Sequence, residues 1–273
     1  MEKLDYGTML SPYPIVLSIG TLRKPRLSEI ADDSILGFGK FSYYQTLIRL
    51  TPEIYFEKLA NEELKKEFNS LDDDKRSSIT MFDIVARDEQ LSKTFLDMFN
   101  FFFVEKVVLE DGIFVLLDPQ SEDRDITKEN FRGAIIKEIF DQVLDIIQQI
   151  CCIHEDTYEE DEEASFKNSL AKRLYDKMLK ARKEAQKRKS AEKEDKNYSL
   201  PNIISAVSNK HPTINPINVY DLTLFQLIDS FNRLQVNSIY EIDSTRVSVW
   251  GDEKNTFDVS LWHKNEYDKQ AVS

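Results

Sequence analysis

The sequence predicts an α+β, predominantly helical protein. It would have a larger N-terminal lobe with a β-hairpin, a long charged connector helix and a small α+β C-terminal lobe. Three observations point there. Charged residues make up 31% of the 273 positions against only 7 Gly and 8 Pro, a helix-rich balance. Asp111-Gly112 sits between two β-rich apolar runs, the pattern of a tight hairpin. Apolar residues then fall away after Ile153, where a charged block begins.

The elements follow in chain order. Pro12 and Pro14 forbid a helix, and Ile15 to Ile19 reads as a short β run ending at Gly20. A short helix is expected over 27–31. Gly37 and Gly39 mark a turn, after which Tyr43, Leu47 and Leu50 have helical spacing. In "TPEIYFEKLANEELKKEFNSL", Thr51 is an N-cap, Pro52 stands at the first helical position, and acids precede lysines. Phe82, Val85, Leu91, Phe95, Met98 and Phe99 share a helical face ahead of the hairpin, placed near 103–118. "DITKENFRGAIIKEIFDQVLDIIQQICCIHE" reads as one helix capped by Thr127, with a wide stripe from Phe131 and Ile135 through Ile139, Val143, Ile146 and Ile147 to Ile150. These elements form a domain over 1–154.

The connector spans 155–198. Residues 155–163 hold seven acids and no base, and residues 164–196 hold 12 bases and five acids. An acidic start and a basic body suit a helix dipole, while the stripe Leu170, Leu174, Met178, Ala181 and Ala185 is too thin for a core helix. In the C-terminal domain, 199–273, Ser199-Leu200-Pro201 opens a helix running to Ser208, and "KHPTINP" is a loop. Leu224, Leu227, Ile228, Phe231 and Leu234 mark a second amphipathic helix. Short strands should follow, with Val247, Val249, Phe257, Val259 and Leu261 alternating and Trp250 and Trp262 capping a small sheet. The abrupt loss of apolar residues also predicts that 1–154 folds without 197–273.

Charge and motifs exclude several function classes. A formal net charge of −13 argues against a general nucleic-acid or anionic-membrane binder. The apolar stretches are broken by charges short of a membrane span, and "MEKLDYGTML" lacks the pattern of a signal peptide; the expected location is the cytoplasm. Cys151, Cys152 and His154 would need further ligands to hold zinc, and only His211 and His263 remain. No Ser or Cys stands in a nucleophile elbow, the acidic run lacks the pattern of a calcium loop, and Gly37–Gly39 is not a phosphate loop. No catalytic residue, cofactor or metal is therefore expected. The basic block could dock an acidic or amphipathic partner through Lys172, Arg173 and Lys180, or serve only as a solvated link with acids at helical spacing.

In this order, "SPYPIVLSIGTLRKPRLSEI", "FNFFFVEKVVLEDGIFVLL", "DITKENFRGAIIKEIFDQVLDIIQQICCI", the Lys/Arg-rich connector and "LPNIISAVSNKHPTINPINVYDLTLFQLIDSFNRLQ" resemble a family from Gram-positive bacteriophages and prophages. Its members are uncharacterised tail-cluster proteins of tail-assembly-chaperone type. The resemblance implies a non-enzymatic adaptor whose partner is a phage tail or tape-measure protein. Amphipathic tape-measure helices would need an apolar groove. The candidates are Phe99, Phe101, Phe102 and Phe103, and the helix bearing Leu224, Leu227 and Phe231; the competing reading of both is ordinary core. A permanent virion component (baseplate or neck), and a nucleic-acid-handling protein or enzyme using scattered acids, are the alternatives.

Overall fold

A computed structural model describes residues 3–121, 126–153, 196–252, 257–265 and 267. The molecule is α+β and predominantly helical, as predicted, with one two-stranded and one three-stranded antiparallel sheet among the described residues. It divides into two compact units. One comprises Met1–His154 together with Tyr220–Gln226, and the other Glu155–Val219 with Leu227–Ser273.

In the first unit, α1 (Tyr6–Leu10) is capped by Asp5, whose carboxylate accepts from the Thr8 N–H at 2.8 Å. The expected single β run is instead a hairpin of β1 (Ile15–Leu17) and β2 (Gly20–Leu22), so Gly20 opens a strand rather than ending one. A Cβ at Gly20 would lie 2.5 Å from Leu116 Cδ2, so any side chain there would require Leu116 to shift. Strand β2 also bridges to the chain at Phe103, with the Val104 N–H donating to Thr21 O at 2.9 Å.

The short helix α2 (Leu27–Ala31) forms where predicted. Helix α3 (Phe38–Ile48) starts earlier than expected: only Gly37 is the turn residue, at φ +80°, and Gly39 lies inside the first helical turn. Its core face runs through Phe41, Tyr44 and Leu47, which leaves Tyr43 exposed. The helix predicted from Thr51 breaks into α4 (Pro52–Lys58) and α5 (Glu62–Ser70), because Asn61 caps a new start by accepting from the Leu64 N–H at 2.9 Å. Helices α6 (Asp73–Ser78), α7 (Met81–Val85) and α8 (Glu89–Phe102) begin after caps of the same kind at Asp72, Thr80 and Asp88.

Strands β3 (Lys106–Glu110) and β4 (Ile113–Leu117) form the predicted hairpin, with Asp111 at φ 49° and Gly112 at φ 78°. Both turn residues are left-handed, as a two-residue type I′ connection requires. The helix predicted from Thr127 is overturned at its start. Thr127 and Asn130 pair reciprocally, each side chain accepting from the other's N–H at 3.3 and 2.8 Å, and close a turn. Phe131–Ile135 is then a strand, β5, paired with the free side of β4. Gly133 is a poor helix former, and its missing side chain admits the Ile19 carbonyl. Helix α9 (Lys137–Ile150) begins only after it, so its buried stripe is Phe140, Val143, Leu144, Ile147 and Ile150, and Phe131 is exposed.

In the second unit, α10 (Leu200–Lys210) forms from Ser199-Leu200-Pro201 as predicted, and residues 211–217 are a loop. The predicted C-terminal sheet is overturned: no strand follows β5 among the described residues. Helix α11 runs unbroken over Leu224–Trp250, 27 residues, with its first turn in the first unit, and ends at Gly251, φ 77°. Valines at 247 and 249 satisfy a period of two, but Ile239, Ile242 and Val249 also fit the helical period. A helix satisfies its backbone internally, whereas a strand needs a neighbour. Trp250 and Trp262 therefore cap no sheet and are exposed. A short tail lies on α11: Phe257 packs on Tyr240 with ring centroids 5.5 Å apart, and Arg233 donates to Lys264 O at 2.6 Å. The predicted connector lies outside the described residues, apart from the single 3-10 turn Lys196–Tyr198.

Candidate functional site

The phenylalanines singled out in the sequence are core. Phe99, Phe101, Phe102 and Phe103 are all buried, and Phe99 meets Phe114 edge-on at 4.9 Å and Phe140 at 6.0 Å. Phe99 thus joins α8 to β4 and α9, Phe101 lies against Tyr44 of α3 at 6.2 Å, and none of the four presents a surface. Leu224 and Leu227 are buried as well, while Phe231 is partly exposed and meets Tyr198 edge-on at 6.5 Å. Lys172, Arg173, Lys180 and His154 lie outside the described residues.

The structure brings together residues that the sequence reading kept apart. Tyr220–Gln226 belongs to the first unit although 65 residues separate it from His154. Thr223 and Gln226 form a reciprocal box at the start of α11, the Thr223 N–H donating to Gln226 Oε1 at 3.0 Å and the Gln226 N–H to Thr223 Oγ1 at 3.3 Å. That Thr-x-x-Gln signature is legible in the sequence. Its destination is not. The Leu27 N–H donates to Leu222 O at 2.9 Å, Arg26 bridges Thr223 as an antiparallel pair, and Gln226 Nε2 donates to Leu10 O at 2.9 Å. Phe225 meets Tyr6 edge-on at 6.1 Å.

Beneath this strap Met9, Lys24, Ile30, Phe41, Phe102 and Ile150 wall a small cavity together with Leu224 and Phe225, and this wall is the groove the strap closes. The remaining void has room for no more than about one water molecule. Lys24 is the unexpected member, only 7% exposed. Its ammonium donates to the Thr8 carbonyl and to Ser11 O at 2.8 Å, so it caps the negative end of α1. Burial pulls its pKa down. Cys151 also lines the groove, and burial pushes its thiol well above the ordinary range, which suits a packing residue rather than a nucleophile.

The remaining sequence candidates have structural surroundings. His211 Nδ1 accepts from the Thr213 and Ile214 N–H groups at 3.2 and 3.1 Å and closes the loop after α10. The His263 ring lies against Trp262 at 4.7 Å. Among the described residues, no group of three or more His, Cys, Asp and Glu side chains is placed to hold a metal ion. No helix among them is long and apolar enough to cross a membrane.

An exposed apolar feature organised by helical spacing lies on α11. Ile239, Ile242, Val249 and Trp250 share a face and are all exposed, Ile242 by 69% and Trp250 by 80%. Spacings of three, seven and one keep them within about a third of the helix circumference. Sequence reasoning missed this face because it marked the helix only as far as Leu234, placed Val249 in a strand and made Trp250 a cap on a sheet.

Residues 188–267 match the family model described as YomV second domain, YomV being a Bacillus prophage-type protein. No curated protein and no solved structure matches the chain.

Proposed function

We propose that this chain is a non-enzymatic bacteriophage assembly protein, an adaptor of tail-assembly-chaperone type that binds a tail or tape-measure protein. The observation that carries the reading is the coincidence of two features in one segment. Residues 188–267 match a domain of a prophage-type protein, and that segment contains the exposed apolar face of α11. An apolar stripe along a helix complements an amphipathic partner helix, the structure expected of a tape measure. Contacts of this kind need no catalytic group, which agrees with a sequence lacking a nucleophile elbow or phosphate loop.

The test is capture from infected or prophage-induced cells. Tagged protein should co-purify with a tail or tape-measure protein, and Ile242→Glu should abolish that capture. Mature particles should lack the chain. Its presence in them at fixed stoichiometry would instead make it a baseplate or neck component.

A further inference from the structure

We propose that Tyr220–Gln226 is a releasable strap, and that the groove it fills is a docking site for a partner segment of the same pattern. That pattern is an extended lead containing Asp and Thr, followed by an aliphatic and an aromatic residue that open a helix. The inference goes beyond the adaptor reading and does not depend on it.

Three observations carry it. First, the cavity wall built from residues 9–151 is completed by Thr223, Leu224 and Phe225, which belong to a seven-residue stretch of the first unit remote in sequence from the rest of it. Second, it is held as linear peptides are held. Leu222 O and Thr223 pair with the backbone at Arg26–Leu27, two adjacent side chains enter an apolar groove, and Asp221 lies 3.9 Å from Arg26 at the rim. Third, the groove carries its own polar support without the strap. Lys24 is satisfied by the Thr8 and Ser11 carbonyls, so the groove's buried charge keeps its partners when the strap leaves. The seated strap itself shows what fits: Leu224 and Phe225 as anchors, with Gln226 reaching the Leu10 carbonyl.

A segment bound in cis acts at an effective concentration on the order of millimolar, so a partner must outcompete it or bind when it opens. The strap would thus keep the groove closed until a better-matched segment arrives.

Two measurements on the full-length protein test this. In hydrogen exchange, the Leu27 amide and the strap should exchange at least ~tenfold faster than Val143–Ile147 of α9, because they open without global unfolding. Equal protection would make the strap ordinary core and overturn the proposal. A labelled peptide of residues 218–229 should bind Phe225→Ala at least ~tenfold more tightly than wild type, and a peptide with alanine at both anchors should bind neither. Equal binding to both proteins, or none to a folded Phe225→Ala, overturns it. Should Phe225→Ala fail to fold, Gln226→Ala, which removes the bond to Leu10 together with the acceptor for the Thr223 N–H, should still raise peptide affinity a few-fold. Dimers that form with concentration in wild type and vanish on adding peptide would show exchange between copies, and would overturn the assignment to a separate partner.

Discussion

Gly133 lies directly against the carbonyl of Ile19: a Cβ added at 133 would stand 2.1 Å from that oxygen. The turn of the β1–β2 hairpin rests on β5 at this point, and the obstructing atoms are backbone, which cannot rotate away. Gly133→Ala should therefore cost about 2 kcal/mol or more, as overpacking at a rigid contact does. Urea and thermal unfolding would read this as a lowered midpoint. An unchanged Tm would mean that the hairpin does not sit there.

Asn100 closes the open edge of β3 as a neighbouring strand would. Its amide donates to Val107 O at 2.9 Å, and its oxygen accepts from the Val107 N–H at 3.0 Å. Asn100→Ala should destabilise by about 1 kcal/mol, while Asn100→Asp, which keeps an acceptor but loses the donor, should recover part of that. Chemical denaturation of the two variants side by side separates the bonds.

Asp88 serves two elements at once. It caps α8 by accepting from the Gln90 and Leu91 N–H groups, both at 3.0 Å, and it accepts from the Tyr55 hydroxyl at 2.9 Å. Burial first, and the Asp88 carboxylate second, push the Tyr55 phenol up to about 12 from an ordinary 10.0. A phenol that holds its proton longer in the folded state stabilises fully below pH 10, and that contribution drains away as pH rises toward 12. Tyr55→Phe should flatten the fall in stability across that window without abolishing it, because burial raises the pKa of Tyr44 too. Asp88→Ala should lose about 1–2 kcal/mol at neutral pH through the cap. Both follow from denaturation midpoints measured at a series of pH values.

On α11, Ile239→Glu and Ile242→Glu should leave the unfolding midpoint of the isolated protein within about 0.5 kcal/mol of wild type, since both side chains are exposed. The same changes should remove capture of a tail protein from cell extracts. Loss of stability instead would assign these residues to the protein's own packing.

Local chemistry made part of the fold legible. Asp111-Gly112 demanded a left-handed turn, Thr51-Pro52 a helix start, and Ser199-Leu200-Pro201 another, and each formed. Asn61 and Asp88 were equally readable as caps that divide longer helices. The candidate site was less legible: the Phe99–Phe103 run has the same apolar pattern whether it faces a partner or a core, and the fold buried it.

What the sequence determined by itself was therefore whatever rests on contacts a few residues apart: the helix-rich composition, the caps, and the β3–β4 hairpin. Tertiary structure decided the rest. β5 exists because β4 had an unpaired side and Gly133 could lie beneath Ile19. α11 continues to Trp250 because a helix needs no partner strand, which leaves Ile239 and Ile242 facing outward. The strap Tyr220–Gln226 joined the first unit because its anchors fit a groove built from residues 9–151, a match between surfaces that no local spacing encodes.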